Sequence, residues 1–157
     1  PSAASVVYKG QGALVTDQGP IEGAAAGTLR LRRELGATIA VLADVAVKHA
    51  RPLGAGFDLR ESARETVGRG LADGLIVTGS TTGAPVDDAV LATVTDATVA
   101  QPVFVGSGVT EETVGTLLTR AHGVIVGTAT KEDGDVRAPV SISRTRAIVQ
   151  AARGTGP

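Results

Sequence analysis

Residues 103–110 read VFVGSGVT and residues 123–128 read GVIVGT, and in both a short run rich in β-branched residues passes directly into glycine. Such runs are typical of buried strands in parallel sheets, with the glycine standing where the strand ends. A single glycine there is explained by the positive φ that many turns require. Two of them in the last two units of the chain favour the phosphate site of a (β/α)8 barrel, where the loops after strands seven and eight present backbone N–H groups. We name these two turns the glycine corners and place ligand-binding groups at Gly106, Ser107, Gly108, Gly127 and Thr128.

Short apolar runs alternate with segments of helical periodicity along the chain, which predicts parallel βα units. The predicted strands cover residues 5–8, 38–43, 74–77, 102–105 and 123–126. Among the predicted helices, one begins at Pro85, which suits a first helical turn, and two begin at the capping residues Thr110 and Ser141. The first helix is expected to bury Leu29 and Leu35 on its apolar side.

Five βα units are compatible with two architectures. One is the C-terminal part of a TIM-type (β/α)8 barrel, truncated at its N-terminus, with residues 1–157 forming a single domain over about strands 4 to 8. The alternative is a five-stranded doubly wound sheet that is complete in itself. The glycine corners favour the barrel. In that case the first and last strands have unpaired edges, so we expect self-association into a homo-oligomer.

The composition excludes several classes of partner. With 15 basic and 16 acidic residues and only 2% aromatic residues, the chain has neither excess positive charge nor stacking platforms for nucleic acid. The absence of cysteine removes disulfides, thiolate metal ligands and cysteine nucleophiles. No apolar run approaches the ~20 residues of a transmembrane helix, so we expect a cytoplasmic protein, with peripheral membrane association still compatible. No nucleotide-binding motif is complete, and the sequence identifies no cofactor.

A cluster of polar residues follows the second predicted strand. With a strand period of two, Leu42, Asp44 and Lys48 fall on one face, so a carboxylate and an ammonium group would meet at the strand end. Asp44 could act as a general base or metal ligand, and Lys48 could neutralise an anion or serve as an amine nucleophile. We predict both as catalytic residues and His49 as a ligand-binding one. The alternatives are a buried Asp–Lys pair that fixes the loop and a purely structural histidine.

Further candidates lie in the loops after other strands. Asp17 could take part in catalysis, and with Glu22 it could bind a metal or accept a proton, but it could equally cap the next helix. Thr78 and Ser80 belong to a hydroxyl-rich loop suited to a phosphorylated or polyhydroxylated ligand, although such residues also form ordinary turns. Lys131 lies in the long last loop, where it is expected to reach an anion at the glycine corners or to remain solvated.

The same residues resemble the BtpA family, also called BtpA/SgcQ, over nearly the whole chain. The matching stretches are VTDQG (15–19), IEG (21–23), LRRELGA (31–37), LADV (42–45), VKHA (47–50), IVTGS (76–80), TG (82–83), VGSGVT (105–110) and GVIVGT (123–128), followed by Lys131 and Gly134. Ordered motifs at five strand ends make this resemblance specific. Where members of the family often carry a larger, polar residue, this chain has Ala46.

The resemblance implies a (β/α)8 barrel whose members extend further at the N-terminus. Its cyanobacterial member is associated with thylakoid membranes and with accumulation of photosystem I reaction-centre proteins, but the family also occurs where no photosystem exists. From the glycine corners and the polar residues at the strand ends, and not from the resemblance, we expect an enzyme of aldolase, isomerase or lyase type that binds a small phosphorylated ligand. The alternative hypothesis is a non-catalytic assembly factor.

Overall fold

A computed structural model describes residues 5–9, 13–16, 19–45, 50–53, 56–79 and 84–154. The elements, in chain order, are β1 (Ser5–Lys9), β2 (Ala13–Thr16), β3 (Gly19–Glu22), α1 (Ala25–Glu34), β4 (Ala40–Asp44), β5 (Ala50–Pro52), α2 (Leu59–Gly68), β6 (Gly74–Val77), α3 (Asp88–Ala97), β7 (Val103–Val105), α4 (Glu111–Leu118), β8 (Gly123–Val124) and α5 (Ile142–Arg153). Two short 3-10 turns, Thr128–Thr130 and Glu132–Gly134, lie between β8 and α5.

The main sheet is entirely parallel, and its strand order is β1-β4-β6-β7-β8. The order of these strands across the sheet is therefore the same as their order along the chain. A doubly wound sheet reverses its order at a switch point, whereas a barrel continues in one direction. The doubly wound alternative is wrong, because the described sheet shows no such reversal. All five predicted strands are present, and β6 has the predicted bounds.

The hydrophobic core lies between this sheet and its helices. Alternate residues of three strands turn to the helices and are buried: Val41 and Ala43 in β4, Leu75 and Val77 in β6, and Val103 and Val105 in β7. Leu91, Val94, Val114 and Ile148 meet them from α3, α4 and α5. Burying each valine, leucine or isoleucine contributes ~1.5–3 kcal/mol relative to leaving it exposed, so this layer holds the helices in place.

The opposite face of the sheet, here called the inner face, carries the other alternate residues, among them Leu42 and Phe104. A methyl group added at Gly74 would lie 2.8 Å from Cδ2 of Leu42 and 3.3 Å from Cε2 of Phe104. One added at Gly123 would lie 2.8 Å from the Phe104 ring. Phe104 thus fills the space left beside it by the glycines of both neighbouring strands.

Side-chain caps fix where several helices begin. The Asp58 carboxylate accepts a hydrogen bond from the N–H of Glu61 at 3.0 Å, and the Ser141 hydroxyl accepts one from the N–H of Arg144 at 3.4 Å. The predicted start of α3 at Pro85 is wrong. The Asp87 carboxylate accepts a hydrogen bond from the N–H of Ala89 at 2.7 Å, so Asp87 is the cap and Pro85 precedes the helix.

The first helix also differs from its prediction. Helix α1 contains no fully buried residue, and Leu35, its C-cap, is 69% exposed. Leu29 and Leu35 are six residues apart. At 3.6 residues per turn, that spacing directs their side chains about 120° apart, so they cannot share one apolar face.

A second, antiparallel sheet was not predicted, and its strand order is β3-β2-β5. Strands β2 and β3 belong to the connection after β1, and β5 belongs to the connection after β4. The N–H of Leu53 donates to the carbonyl of Ala13 at 3.0 Å, which continues the pairing beyond the end of β5. Main-chain hydrogen bonds therefore join two neighbouring loops at the C-terminal end of the parallel sheet.

Candidate functional site

Both glycine corners line the same cleft, which has a volume of about 460 Å³. The first corner lies between β7 and α4, and the second lies after β8. Arg144 and Ile148 of α5 form part of the opposite wall. The remaining lining residues are Val109, Thr110, Glu111, Glu112, Ile125, Ala129 and Gly134. The cleft is thus built by the last two βα units, as the sequence predicts for the corners.

The backbone N–H groups of the glycine corners differ in whether they donate a hydrogen bond to another group of the protein. The N–H of Gly106 donates to the carbonyl of Val77 at 2.9 Å. Gly106 lines the cleft, but its N–H is already used within the protein and is not a free donor for a ligand. The N–H groups of Ser107, Gly108, Gly127 and Thr128 donate to no group within the part of the chain that the structure describes. Four residues that line the cleft thus have backbone N–H groups with no partner among the described residues.

Two of the corner glycines are present for different reasons. Gly108 has a φ of 67°, and a methyl group there would lie 2.5 Å from both the carbonyl oxygen of Ala84 and the Cα of Pro85. Its backbone conformation and its close approach to a neighbouring loop both require glycine. At Gly127 no atom of the described residues lies within 4 Å of the Cβ position. The packing around Gly127 therefore leaves room for a side chain.

The cleft also contains ionised side chains. The Arg144 guanidinium is anchored through Nε, which donates to the carbonyl of Ala129 at 3.0 Å. Glu112 lies in the first turn of α4, and its pKa is held below the usual range, first by a hydrogen bond from the Thr110 hydroxyl and then by its own backbone N–H. The positive charge of Arg144 adds a smaller effect on this pKa in the same direction. Glu112 is therefore a carboxylate at neutral pH.

Arg144, not Lys131, supplies the positive charge among the residues that line the cleft. Lys131 forms an isolated β-bridge with Val140, and its N–H donates to the carbonyl of Thr128 at 3.0 Å. Arg144 was not predicted from the sequence because it lies on the following helix, well separated from either corner in the chain. Its position three residues after the helix cap Ser141, in the first turn of a helix that follows a glycine corner, was the available signal.

Asp44 lies at the end of β4 and is 7% exposed. It pairs in register with Ile76 of β6, and the N–H of Val45 donates to the carbonyl of Ile76 at 3.1 Å. Alternation places the Asp44 side chain on the inner face, opposite the helices. Thr78 follows β6 and is half-buried; a methyl group at Gly106 would lie 3.1 Å from its Cγ2. Asp44, Thr78 and the first glycine corner thus occupy three neighbouring strand ends.

The other predicted site residues divide into two groups. Asp17, Lys48, His49 and Ser80 lie outside the described residues, and their roles remain predictions. Glu22 is exposed at the end of β3 and is not among the residues that line the cleft. Within the described ranges, no group of three or more histidine, aspartate and glutamate residues could hold a metal ion.

A model of the BtpA family matches residues 7–154 of this chain. The chain belongs to the BtpA family. It is 45% identical over 140 residues to the Photosystem I biogenesis protein BtpA of Synechocystis sp., covering 89% of this chain and 48% of that protein. It is also 43% identical over 141 residues to an uncharacterized protein of Pyrococcus furiosus, and this match covers 88% of this chain and 52% of that protein. An uncharacterized mitochondrial protein of Caenorhabditis elegans is 37% identical over 125 residues, which cover 77% of this chain and 43% of that protein. The chain spans about half the length of the curated relatives it matches.

Solved structures confirm the barrel type. Phosphoribosyl anthranilate isomerase from Thermus thermophilus superposes with a TM-score of 0.54 at 14% identity, covering 96% of this chain and 72% of the enzyme. The corresponding isomerase from Pyrococcus furiosus superposes with a TM-score of 0.53 at 16% identity, and the match covers 83% of this chain and 57% of the enzyme. The parallel α/β fold is therefore that of a partial TIM barrel. Among the helices that the structure describes, none combines the length and apolarity needed to cross a membrane.

Proposed function

We propose that this chain forms the phosphate-binding side of a TIM-barrel enzyme of aldolase, isomerase or lyase type. The proposal is carried by one observation: four residues of the two glycine corners that line a single cleft have backbone N–H groups without partners in the described part of the chain. Phosphate oxygens are strong acceptors, and such amides satisfy them at no cost in side-chain entropy. Arg144 adds a planar donor group that suits a phosphate ester.

The acidic residues of the cleft narrow the ligand class. Glu111 and Glu112 line it together with Arg144, so its charged side chains sum to one negative charge. Two carboxylates repel an anion that carries no other group, but they accept hydrogen bonds from the hydroxyl groups of a ligand. The cleft therefore suits a phosphate ester that carries hydroxyl groups, such as a sugar phosphate.

Binding of glycerol 3-phosphate and inorganic phosphate, measured by calorimetry and by amide chemical shifts, tests this proposal. Gly127→Leu extends a side chain from the cleft wall and should weaken binding tenfold or more. Gly68→Leu is the matched control, because Gly68 on α2 also has no described atom within 4 Å of its Cβ position and lies outside the cleft lining. Equal affinity in both variants, or shifts confined to residues remote from the corners, would refute the phosphate site.

A role in assembly is the second candidate, and it is favoured by the 45% identity to a protein named for photosystem I biogenesis. Helix α1 also exposes Leu31 and Leu35, which could form a docking patch. Against it, relatives occur in Pyrococcus furiosus and Caenorhabditis elegans, which have no photosystem. The test replaces the matching half of the Synechocystis protein with this chain. A purely structural role predicts that L31S/L35S lowers accumulation of photosystem I proteins and that Gly127→Leu does not.

We also propose a cytoplasmic location and self-association of the isolated chain. In the main sheet, β1 and β8 each have a single neighbouring strand, so one edge of each can pair with another chain. Sedimentation of the purified protein tests this, and a stable monomer over a wide concentration range would contradict it.

A further inference from the structure

We infer that two helix surfaces of this chain are contact surfaces for about three further parallel βα units of a (β/α)8 barrel. One surface, called here the α1 flank, consists of Leu31 and Leu35, and the other, the α5 flank, consists of Ile142 and Val149. We expect the units to come from the half of a BtpA-family protein that this chain does not match. The inference is independent of the proposed phosphate site.

Large apolar residues are exposed on the first and last helices of the parallel units and not on the helices between them. On α5, Ile142 is 75% exposed and Val149 is also exposed. Leu31 in α1 and Leu35, its C-cap, are both exposed. Every leucine and valine within α2, α3 and α4 is at least partly buried. Among the described helices, exposed apolar side chains are thus concentrated at the two ends of the parallel sheet.

The α1 flank lies to one side of the helix. Ala25 packs against the core and Arg32 donates to the Asp73 carboxylate at 2.6 Å, so these two residues mark the side of α1 that faces the protein. At about 100° per residue, Leu31 and Leu35 lie about 90° anticlockwise from that side when the helix is viewed from its N-terminus. They therefore point neither into the core nor directly away from it, but sideways.

The α5 flank lies on the opposite side of its helix. Ile148 is buried and marks the side of α5 that faces the core. In the same view, Ile142 and Val149 lie about 110° clockwise from Ile148. Arg144, whose charge acts on Glu112 of α4, lies about 40° anticlockwise from Ile148. The preceding helix is thus on the anticlockwise side of α5, and the α5 flank faces away from it.

These directions are the ones that the handedness of parallel βα units requires. Where right-handed crossovers join the strands, each helix viewed from its N-terminus has the preceding helix on its anticlockwise side and the next helix on its clockwise side. The α1 flank therefore faces the position of a preceding unit, and the α5 flank faces the position of a following unit. Neither position is filled by a described helix.

The strand count and the lengths of the relatives indicate what covers both flanks. The described parallel sheet has five strands, and β1 and β8 each have one neighbour in it. A (β/α)8 barrel has eight, and in a closed ring the units before the first strand and after the last are joined to each other. The chain covers 48% of the Synechocystis relative and 52% of the Pyrococcus furiosus one, which leaves each with enough residues for the remaining units. A second copy of this chain would instead bring the total to ten strands.

A chimera in which this chain replaces the matching half of the Synechocystis protein tests the inference. Sedimentation and urea unfolding are measured for the chimera and for the isolated chain, and we expect the chimera to be a monomer. I142S/V149S should lower the folding equilibrium constant at least about thirtyfold in the chimera, where the flank is covered, and less than about fivefold in the isolated chain, where it is exposed. L31S/L35S should behave in the same way.

L71S/V99S is the matched control. Leu71 and Val99 are also exposed, but they follow the middle helices α2 and α3. Because neither helix adjoins the missing units, the double substitution should change the folding constant less than about fivefold in both proteins.

Four outcomes would overturn the inference. The first is an equally small effect of I142S/V149S in the chimera and in the isolated chain. The second is a chimera that does not fold under conditions in which the unaltered Synechocystis protein folds. The third is an oligomer of the isolated chain that I142S/V149S disperses while the chimera is unaffected, which would assign the α5 flank to a second copy. The fourth is a chimera whose stability L31S/L35S leaves unchanged, because a docking patch for another protein stays exposed there.

Discussion

Substituting alanine at each glycine corner separates a glycine that the fold requires from one that it does not. Gly108 has a φ of 67°, and its added methyl group would lie 2.5 Å from main-chain atoms of Ala84 and Pro85. The left-handed backbone costs an alanine about 1–2 kcal/mol, and forcing a methyl group against fixed main chain costs about 1–3 kcal/mol more. Gly108→Ala should therefore lower the free energy of unfolding by about 2–5 kcal/mol. Gly127→Ala meets no described atom within 4 Å and should change it by less than about 0.5 kcal/mol.

Urea unfolding followed by circular dichroism measures both variants under identical conditions. Similar slopes of free energy against urea would show that the denatured states are comparable, so that the midpoints report stability. A Gly108→Ala variant as stable as Gly127→Ala would refute the close approach between the first glycine corner and residues 84–85. Ligand affinity gives an independent comparison, because a bulkier side chain at position 127 is expected to act on binding and not on folding.

Three further changes have expected outcomes. Asp73→Ala removes the carboxylate that accepts the N–H of Val41 at 2.8 Å, so a buried donor loses its partner and unfolding in urea should become easier by about 1–3 kcal/mol. Leu91→Ala empties a core position that is 1% exposed and should cost about 3–5 kcal/mol in the same assay. Thr110→Val removes the largest cause of the lowered pKa of Glu112, so NMR titration of that carboxyl carbon should give a midpoint closer to the usual glutamate range.

Each of these predictions has a matched control. Arg69→Ala breaks an exposed ion pair of 3.5 Å and should change stability by less than about 0.5 kcal/mol, unlike Asp73→Ala. Leu35→Ala changes a residue that is 69% exposed and should be nearly neutral, unlike Leu91→Ala. Arg144→Gln should raise the pKa of Glu112 less than Thr110→Val does, because its charge is the smaller cause. The reverse order in any pair would contradict the contacts described.

The strands of the parallel sheet could be predicted because each is a short, continuous apolar run with both faces covered. The glycine corners could be predicted for the same reason, since a strand that ends in glycine is visible in the chain. The shared cleft followed from a rule of topology, because the C-terminal ends of neighbouring parallel strands lie side by side. These features depend on local sequence and on strand order alone.

The features that escaped prediction depend on distant contacts. Strands β2, β3 and β5 have only three or four residues each, and β2 pairs with a segment from a different loop. Arg144 reaches the cleft through the packing of α5 on α4 and through its bond to Ala129. Lys131 was a reasonable candidate by its position in the chain, but the bridge to Val140 commits its backbone elsewhere. In the local sequence, what distinguishes the two cations is that Arg144 lies three residues after the helix cap Ser141.

The ring of Phe104 occupies the space that side chains at Gly74 and Gly123 would otherwise fill. The volume available on this part of the inner face therefore depends on all three positions together. Such sharing makes the three sites evolve as a set. A family member that gains a methyl group at the position of Gly74 or Gly123 should carry a smaller residue in place of the phenylalanine, with the total volume conserved. Among family members, these three positions should therefore change together, with a larger residue on one strand accompanied by a smaller one on its neighbour. Positions on the exposed surface of α1 should change independently of one another.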